Sequence, residues 1–204
     1  MNIAEIQNLI RGYISFVADK LDQRWSGHLL TARFNQIKGS VQLKNQQMQS
    51  ELSGLYASFL TRLIRKPQAS DVAHPVLIIC PDWPVYKRSK KSLFEIATND
   101  GLHQHGILLI PPTDPRHRLK IPVEQHFQEN QRYYTRNGII REISADLFPA
   151  SNTAGVVDYA LKGLKTNRIS YDDGVIILPH PHHPIRRPYL GINRSPSSGT
   201  VDAD

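Results

Sequence analysis

Apolar residues return every three or four positions at Ile3, Ile6, Ile10, Tyr13, Val17 and Leu21, which predicts an amphipathic helix over residues 1–25. Its single apolar face must be buried, on the body of the domain or on a partner. The run from His28 to Ile37 is too short between breakers for a helix and reads as a first strand, closed by Lys38-Gly39-Ser40. Ser40 then offers its hydroxyl as the cap of a long helix with the stripe Met48, Leu52, Leu55, Phe59 and Leu63, which Pro67 ends.

Farther along, the period shortens again. Pro75 to Cys80 reads as a second strand, and Pro81-Asp82-Trp83-Pro84-Val85-Tyr86 as a surface excursion. Ser92 to Thr98 alternates as a strand, and Asn99-Asp100-Gly101 supplies a turn, so Leu102 to Ile110 is expected to return as its hairpin partner. A polar stretch from Val123 to Tyr134 is expected to be helical, and Gly138 to Ile143 to be a strand. Ser151-Asn152-Thr153 has cap chemistry for a helix through Val156, Val157, Ala160, Leu161 and Leu164, with Lys162 and Lys165 toward its end. Val175 to Leu178 is a last short strand. The Pro-, His- and Ser-rich residues 179–204 read as a flexible tail.

This mixed order argues against repeated βαβ units. It points to an α+β fold, a central antiparallel sheet flanked by helices, over residues 26–178. There is no Gly-rich phosphate loop, no Cys-x-x-Cys pair and no internal repeat, which weighs against nucleotide hydrolases, dinucleotide enzymes and zinc fingers. Cys80 is the only cysteine and reads as a buried thiol in a reducing, cytoplasmic protein. No apolar stretch approaches the roughly 18 residues of a membrane span, so no membrane partner is expected.

The chain of 204 residues carries a net charge of +7, which favours a polyanionic partner. The charge gathers in Arg62, Arg65 and Lys66 and again in Lys87, Arg88, Lys90 and Lys91. The sharper chemical signal is His103-Gln104-His105 at the start of an apolar strand. Alternation puts both imidazoles on one face and Gln104 on the other. Nine histidines would give about 0.4 such pairs by chance, so the surroundings decide the reading. Across the expected turn, Glu95 is placed to complete a three-ligand face, with Asp100 in reserve. Two imidazoles and a carboxylate suit Mg²⁺ or Mn²⁺ and leave positions for phosphate oxygens.

Tyr159 and Lys162 are three residues apart and are expected on one helix face. A phenol with a reference pKa near 10 is only about 0.1% ionised at neutral pH, a deficit of roughly 4 kcal/mol that a nearby cation reduces. The same residues in isolation would be ordinary packing and snorkelling side chains. Tyr133-Tyr134 is a further aromatic pair suited either to the core or to stacking on bases.

Taken in order, Leu29-Leu30-Thr31-Ala32-Arg33-Phe34, His103-Gln104-His105 and Tyr159-Ala160-Leu161-Lys162 resemble the three motifs of HUH-type rolling-circle replication initiators, the Rep-like endonucleases. The resemblance spans about residues 28 to 165. It departs at Arg33, where a second threonine is usual, at Gln104, where an apolar residue is usual, and in having a single tyrosine.

The resemblance implies a sheet with the histidines on a central strand and the tyrosine on a helix. It further implies site-specific nicking of one DNA strand through a 5′-phosphotyrosine, with Mg²⁺ or Mn²⁺ required. Tyr159 would be the nucleophile, Lys162 would hold phosphate or bound water, and His103, His105 and Glu95 would be metal ligands. Arg33, Lys87, Arg88, Lys90, Lys91 and Lys165 would contact DNA. The expected partners are single-stranded or hairpin DNA, a host helicase and polymerase, and a second copy of the chain. Two other classes compete: a catalytically silent nucleic-acid-binding regulator on the same fold, and an assembly protein working through its N-terminal helix.

Overall fold

In the computed structural model, residues 2–82, 102–165 and 175–179 are described. Five antiparallel strands form one sheet between two helical layers, as the alternation of periods implies. Helix α1 spans Ile3–Asp22, and a capping box explains where it starts. The Glu5 backbone N–H donates to Asn2 Oδ1 at 2.9 Å, and the Asn2 N–H donates to Glu5 Oε2 at 2.8 Å. Its buried stripe, Ile6, Ile10, Tyr13 and Val17, packs on the domain itself.

Strand β1 (Ser26–Phe34) leads through Gly39, whose φ of +116° favours glycine, to α2 (Val41–Leu63). Ser40 caps that helix as expected, its Oγ accepting from the Leu43 N–H at 3.2 Å. Strand β2 (Val76–Asp82) and strand β3 (His103–Ile110) follow. The polar stretch divides into α3 (Val123–Glu129) and α4 (Gln131–Tyr134), and β4 covers Ile140–Leu147. A short 3₁₀ turn, Ala150–Asn152, precedes α5 (Thr153–Ala160); α6 (Lys162–Lys165) and β5 (Ile176–Leu178) complete the fold.

The strand order is β4-β1-β3-β2-β5. Strand β3 is therefore central: β1 pairs with it from His103 to Ile110, and β2 from His103 to Leu109. This corrects the expected hairpin, because both hydrogen-bonding edges of β3 are taken by β1 and β2. The Ser92 to Thr98 strand that was expected there lies outside the described residues, as does residue 95.

Alternation along the strands divides the core in two. Leu30, Ala32, Phe34, Leu77, Ile79 and Leu108 meet α2 and α3 on one face of the sheet. Ile78, Cys80, Ile107 and Leu109 meet α1, α5 and α6 on the other. The histidines of β3 share the parity of Ile107 and Leu109, so they belong to the α5 and α6 face. Among the described residues, no helix is long and apolar enough to cross a membrane.

Candidate active site

Strand register assembles the site. His103 stands between Arg33 of β1 and Asp82 of β2, and His105 between Thr31 and Cys80. Adjacent strands bring such residues within side-chain reach on one face. Asp82 was expected in a surface excursion beyond a strand ending at Cys80. Instead β2 continues through Pro81 to Asp82, beyond its pairing with β5, which covers only Leu77 to Ile79. Among the described residues Pro81 is paired on one side alone, with Gln104, and a strand edge of that kind tolerates proline.

Asp82 Oδ2 lies 2.7 Å from His103 Nε2 and 2.6 Å from Lys162 Nζ. The His103 and His105 rings meet edge-on with centroids 4.8 Å apart. His105 is bonded at both nitrogens: Nδ1 lies 3.1 Å from Thr31 Oγ1, and Nε2 lies 3.1 Å from the Tyr159 hydroxyl. The Lys162 ammonium sits 4.4 Å above the Tyr159 ring, so one cation touches both the carboxylate and the phenol.

The expected single helix carrying Tyr159 and Lys162 is broken at Leu161, which caps α5 and separates it from α6. Buried Val156, Val157, Ala160, Leu161 and Leu164 hold both short helices on the sheet and α1. Tyr159 is left 44% exposed, with its hydroxyl over the histidine strand.

The electrostatics follow from this packing. Burial lowers the His105 pKa to about 4, and the positive charges of His103 and Lys162 act in the same direction. The ring is neutral at pH 7 and keeps a lone pair for a proton or a metal. Burial alone would raise the Asp82 pKa, but hydrogen bonds from His103 and Lys162, and their charges, bring it down to about 2. Asp82 is ionised throughout the neutral range. Burial pushes the Cys80 thiol up to about 12, so it packs beneath the site as an inert apolar group.

Asp82, His103 and His105 could hold a metal ion: one ligand atom from each lies within 4.8 Å of the others. An ionised carboxylate and two imidazoles are a fitting donor set for a divalent cation. Glu95 and Asp100, the expected acidic ligands, lie outside the described residues, and so do Lys87, Arg88, Lys90 and Lys91. Asp82 is the candidate ligand that sequence reasoning missed. The signal for it was parity, since Ile78, Cys80 and Asp82 share one strand face.

The remaining expected DNA contacts are placed around the centre. Arg33, on the site face, pairs with Glu142 at 3.0 Å, and Lys165 pairs with Asp158 at 2.8 Å. Arg33 on β1, beside the histidine strand, and Glu142 and Ser144 on β4, one strand farther out, are exposed, so the β1 and β4 side of the site face is open to solvent. The chain matches no protein-family model, no curated protein and no solved structure.

Proposed function

We propose that this protein is a metal-dependent nickase and strand transferase of the HUH type, with Tyr159 as the nucleophile and single-stranded DNA as the substrate. The observation that carries this reading is the 3.1 Å contact of the Tyr159 hydroxyl with His105, inside a cluster that also holds His103, Asp82 and Lys162. Three chain segments, separated by about 20 to 80 residues, supply these groups. What sets this contact apart from an ordinary packing tyrosine is that it falls at a metal-competent cluster, with Lys162 over the same ring.

Asp82, His103 and His105 would hold Mg²⁺ or Mn²⁺, which supplies Lewis-acid polarisation of the scissile phosphodiester. The chain's own groups do the rest. The open strip along Arg33 and Ser144 admits the DNA strand to the exposed edge of Tyr159. The phenol oxygen attacks phosphorus in line, the P–O3′ bond breaks, and its electron pair leaves with O3′. The phenol proton passes to solvent at the exposed side of the ring, and O3′ takes a proton from solvent to become a free 3′ hydroxyl. The Lys162 ammonium lies over the ring, 4.4 Å from its centre. The same charge is within reach of a phosphate oxygen. The 5′ phosphate stays on Tyr159 until a strand with a free 3′ hydroxyl reverses the step.

The test is incubation of end-labelled, random-sequence single strands with the full chain and Mn²⁺, followed by a denaturing gel. Cleaved DNA should remain bound to protein, and Tyr159→Phe should remove the adduct while leaving DNA affinity intact. An adduct that survives in Tyr159→Phe, or binding without any cleavage, overturns the assignment; the second result would favour a silent binding module.

A further inference from the structure

The α2 and α3 side of the sheet, opposite the histidines, carries a separate cluster that the nicking chemistry does not use. The Arg62 guanidinium lies 3.7 Å over the ring of Tyr133. That ring is 53% exposed, whereas Tyr134 is buried and its hydroxyl meets His126 Nε2 at 2.7 Å. Tyr134 thus accounts for the core role of the pair and leaves Tyr133 on the surface.

Two backbone bonds gather further cations around the end of α2. The Arg65 N–H donates to the Arg116 carbonyl at 3.0 Å, and the Arg118 N–H to the Leu63 carbonyl at 2.8 Å. Arg65, Lys66 and Arg118 are exposed. Ion pairs among the described residues include none of these three, nor Arg62. The nearby carboxylates are engaged elsewhere: Arg116 takes Asp71 and Asp114, and Glu129 accepts from Gln125.

We propose that this surface is a second binding site for single-stranded DNA, in which Tyr133 stacks on a base and Arg65, Lys66 and Arg118 neutralise phosphates. An exposed aromatic ring under Arg62, with exposed cations at the adjoining end of α2 that have no carboxylate partner among the described residues, suits a chain of alternating bases and phosphates. A protein partner would need a larger apolar area around the ring. The choice of DNA rests on the nicking reading. The surface then has a definite role, to hold the part of the substrate strand that flanks the cleaved bond and runs to the other face of the sheet.

The experiment measures binding of the full chain to labelled single strands of about 8 and about 40 nucleotides by fluorescence anisotropy across a salt series. The variants are Tyr133→Ala and the triple Arg65→Ala, Lys66→Ala, Arg118→Ala. For the long strand, Tyr133→Ala should weaken binding at least about fivefold. The triple variant should flatten the slope of log K against log salt by about 2, from three contacts at roughly 0.7 each. Tyr133→Phe keeps the ring and should bind as the parent does. Cleavage of an 8-nucleotide strand should be unchanged in every variant.

Long-strand affinity and salt slope equal to the parent's in both variants would overturn the proposal, as would equal losses for short and long strands. Should the parent bind the long strand through this surface yet form no adduct, the nicking reading fails and the binding surface stands.

Discussion

Replacing Asp82 by Asn keeps the shape of the side chain and removes the charge that faces both His103 and Lys162. The Asp82 pKa of about 2, against an ordinary 3.8, corresponds to a little over 2 kcal/mol of folded-state preference for the carboxylate. Its partners His103 and Lys162 are 31% and 34% exposed, so water screens part of that and about 1 to 2 kcal/mol remains. Because the folded value is depressed, this stability is present above about pH 4 and disappears as pH falls through about 2.

Urea denaturation should therefore show Asp82→Asn about 1 to 2 kcal/mol less stable than the parent at pH 7, with the gap closing below about pH 3. A second arm separates ligand from ion-pair partner. Mn²⁺ at about a hundred times its Kd should add about 2.7 kcal/mol to the parent and almost nothing to the variant. Equal stability at pH 7 together with equal Mn²⁺ stabilisation would refute the role given to Asp82 on both counts.

Thr31→Val removes the oxygen that meets His105 Nδ1, freeing the imidazole to turn or change tautomer. Mn²⁺ affinity measured by calorimetry should fall about 10- to 100-fold, with Thr31→Ser restoring it; an unchanged Kd in Thr31→Val would count against the positioning role. Burial holds His28, His117 and His126 below their ordinary pKa, so the unfolded chain takes up protons first. The urea midpoint should therefore drop as pH falls below about 6.5, and a midpoint constant from pH 7.5 to about 5 would contradict it. Gly106→Ala would place a methyl 2.8 Å from the Ile78 carbonyl oxygen and 3.0 Å from Ile79 Cγ1, in the middle of the sheet. That should destabilise the fold by about 1 to 3 kcal/mol, measured by urea denaturation, and a neutral result would mean that the strands part more easily than their pairing implies.

What could be read from the chain follows from the range of each signal. Helix α2 was legible because its cap Ser40, its stripe and its stop at Pro67 are all local. The shared face of His103 and His105 was legible because strand alternation needs no knowledge of neighbours. The neighbours themselves were not. Asn99-Asp100-Gly101 is a strong local turn signal and pointed to Glu95 across a hairpin, but β3 takes its partners from β1, some 74 residues earlier, and from β2. Pro81 and Pro84 read as the end of a strand, which hid Asp82, because proline's effect depends on whether that stretch is an edge. Tyr159 and Lys162 were found in sequence, though not the break at Leu161 that sets one over the other.

The misplaced strand partner and the hidden Asp82 share a cause that also shapes the candidate site. A strand with both edges filled presents its side chains in rows with its neighbours', so Thr31, His105 and Cys80 form one row and Arg33, His103 and Asp82 the next. The two rows differ in burial: His105 and Cys80 are buried in the first, whereas Arg33 is exposed and His103 and Asp82 are half-buried in the second. Chemistry that needs a neutral imidazole and an ionised carboxylate side by side needs that gradient of burial. A hairpin pair alone would leave one edge of the histidine strand open to water. Placing the histidines on the central strand is therefore the condition under which His105 stays neutral beside an ionised Asp82, and under which a phenol arriving from α5 meets a neutral imidazole rather than an imidazolium.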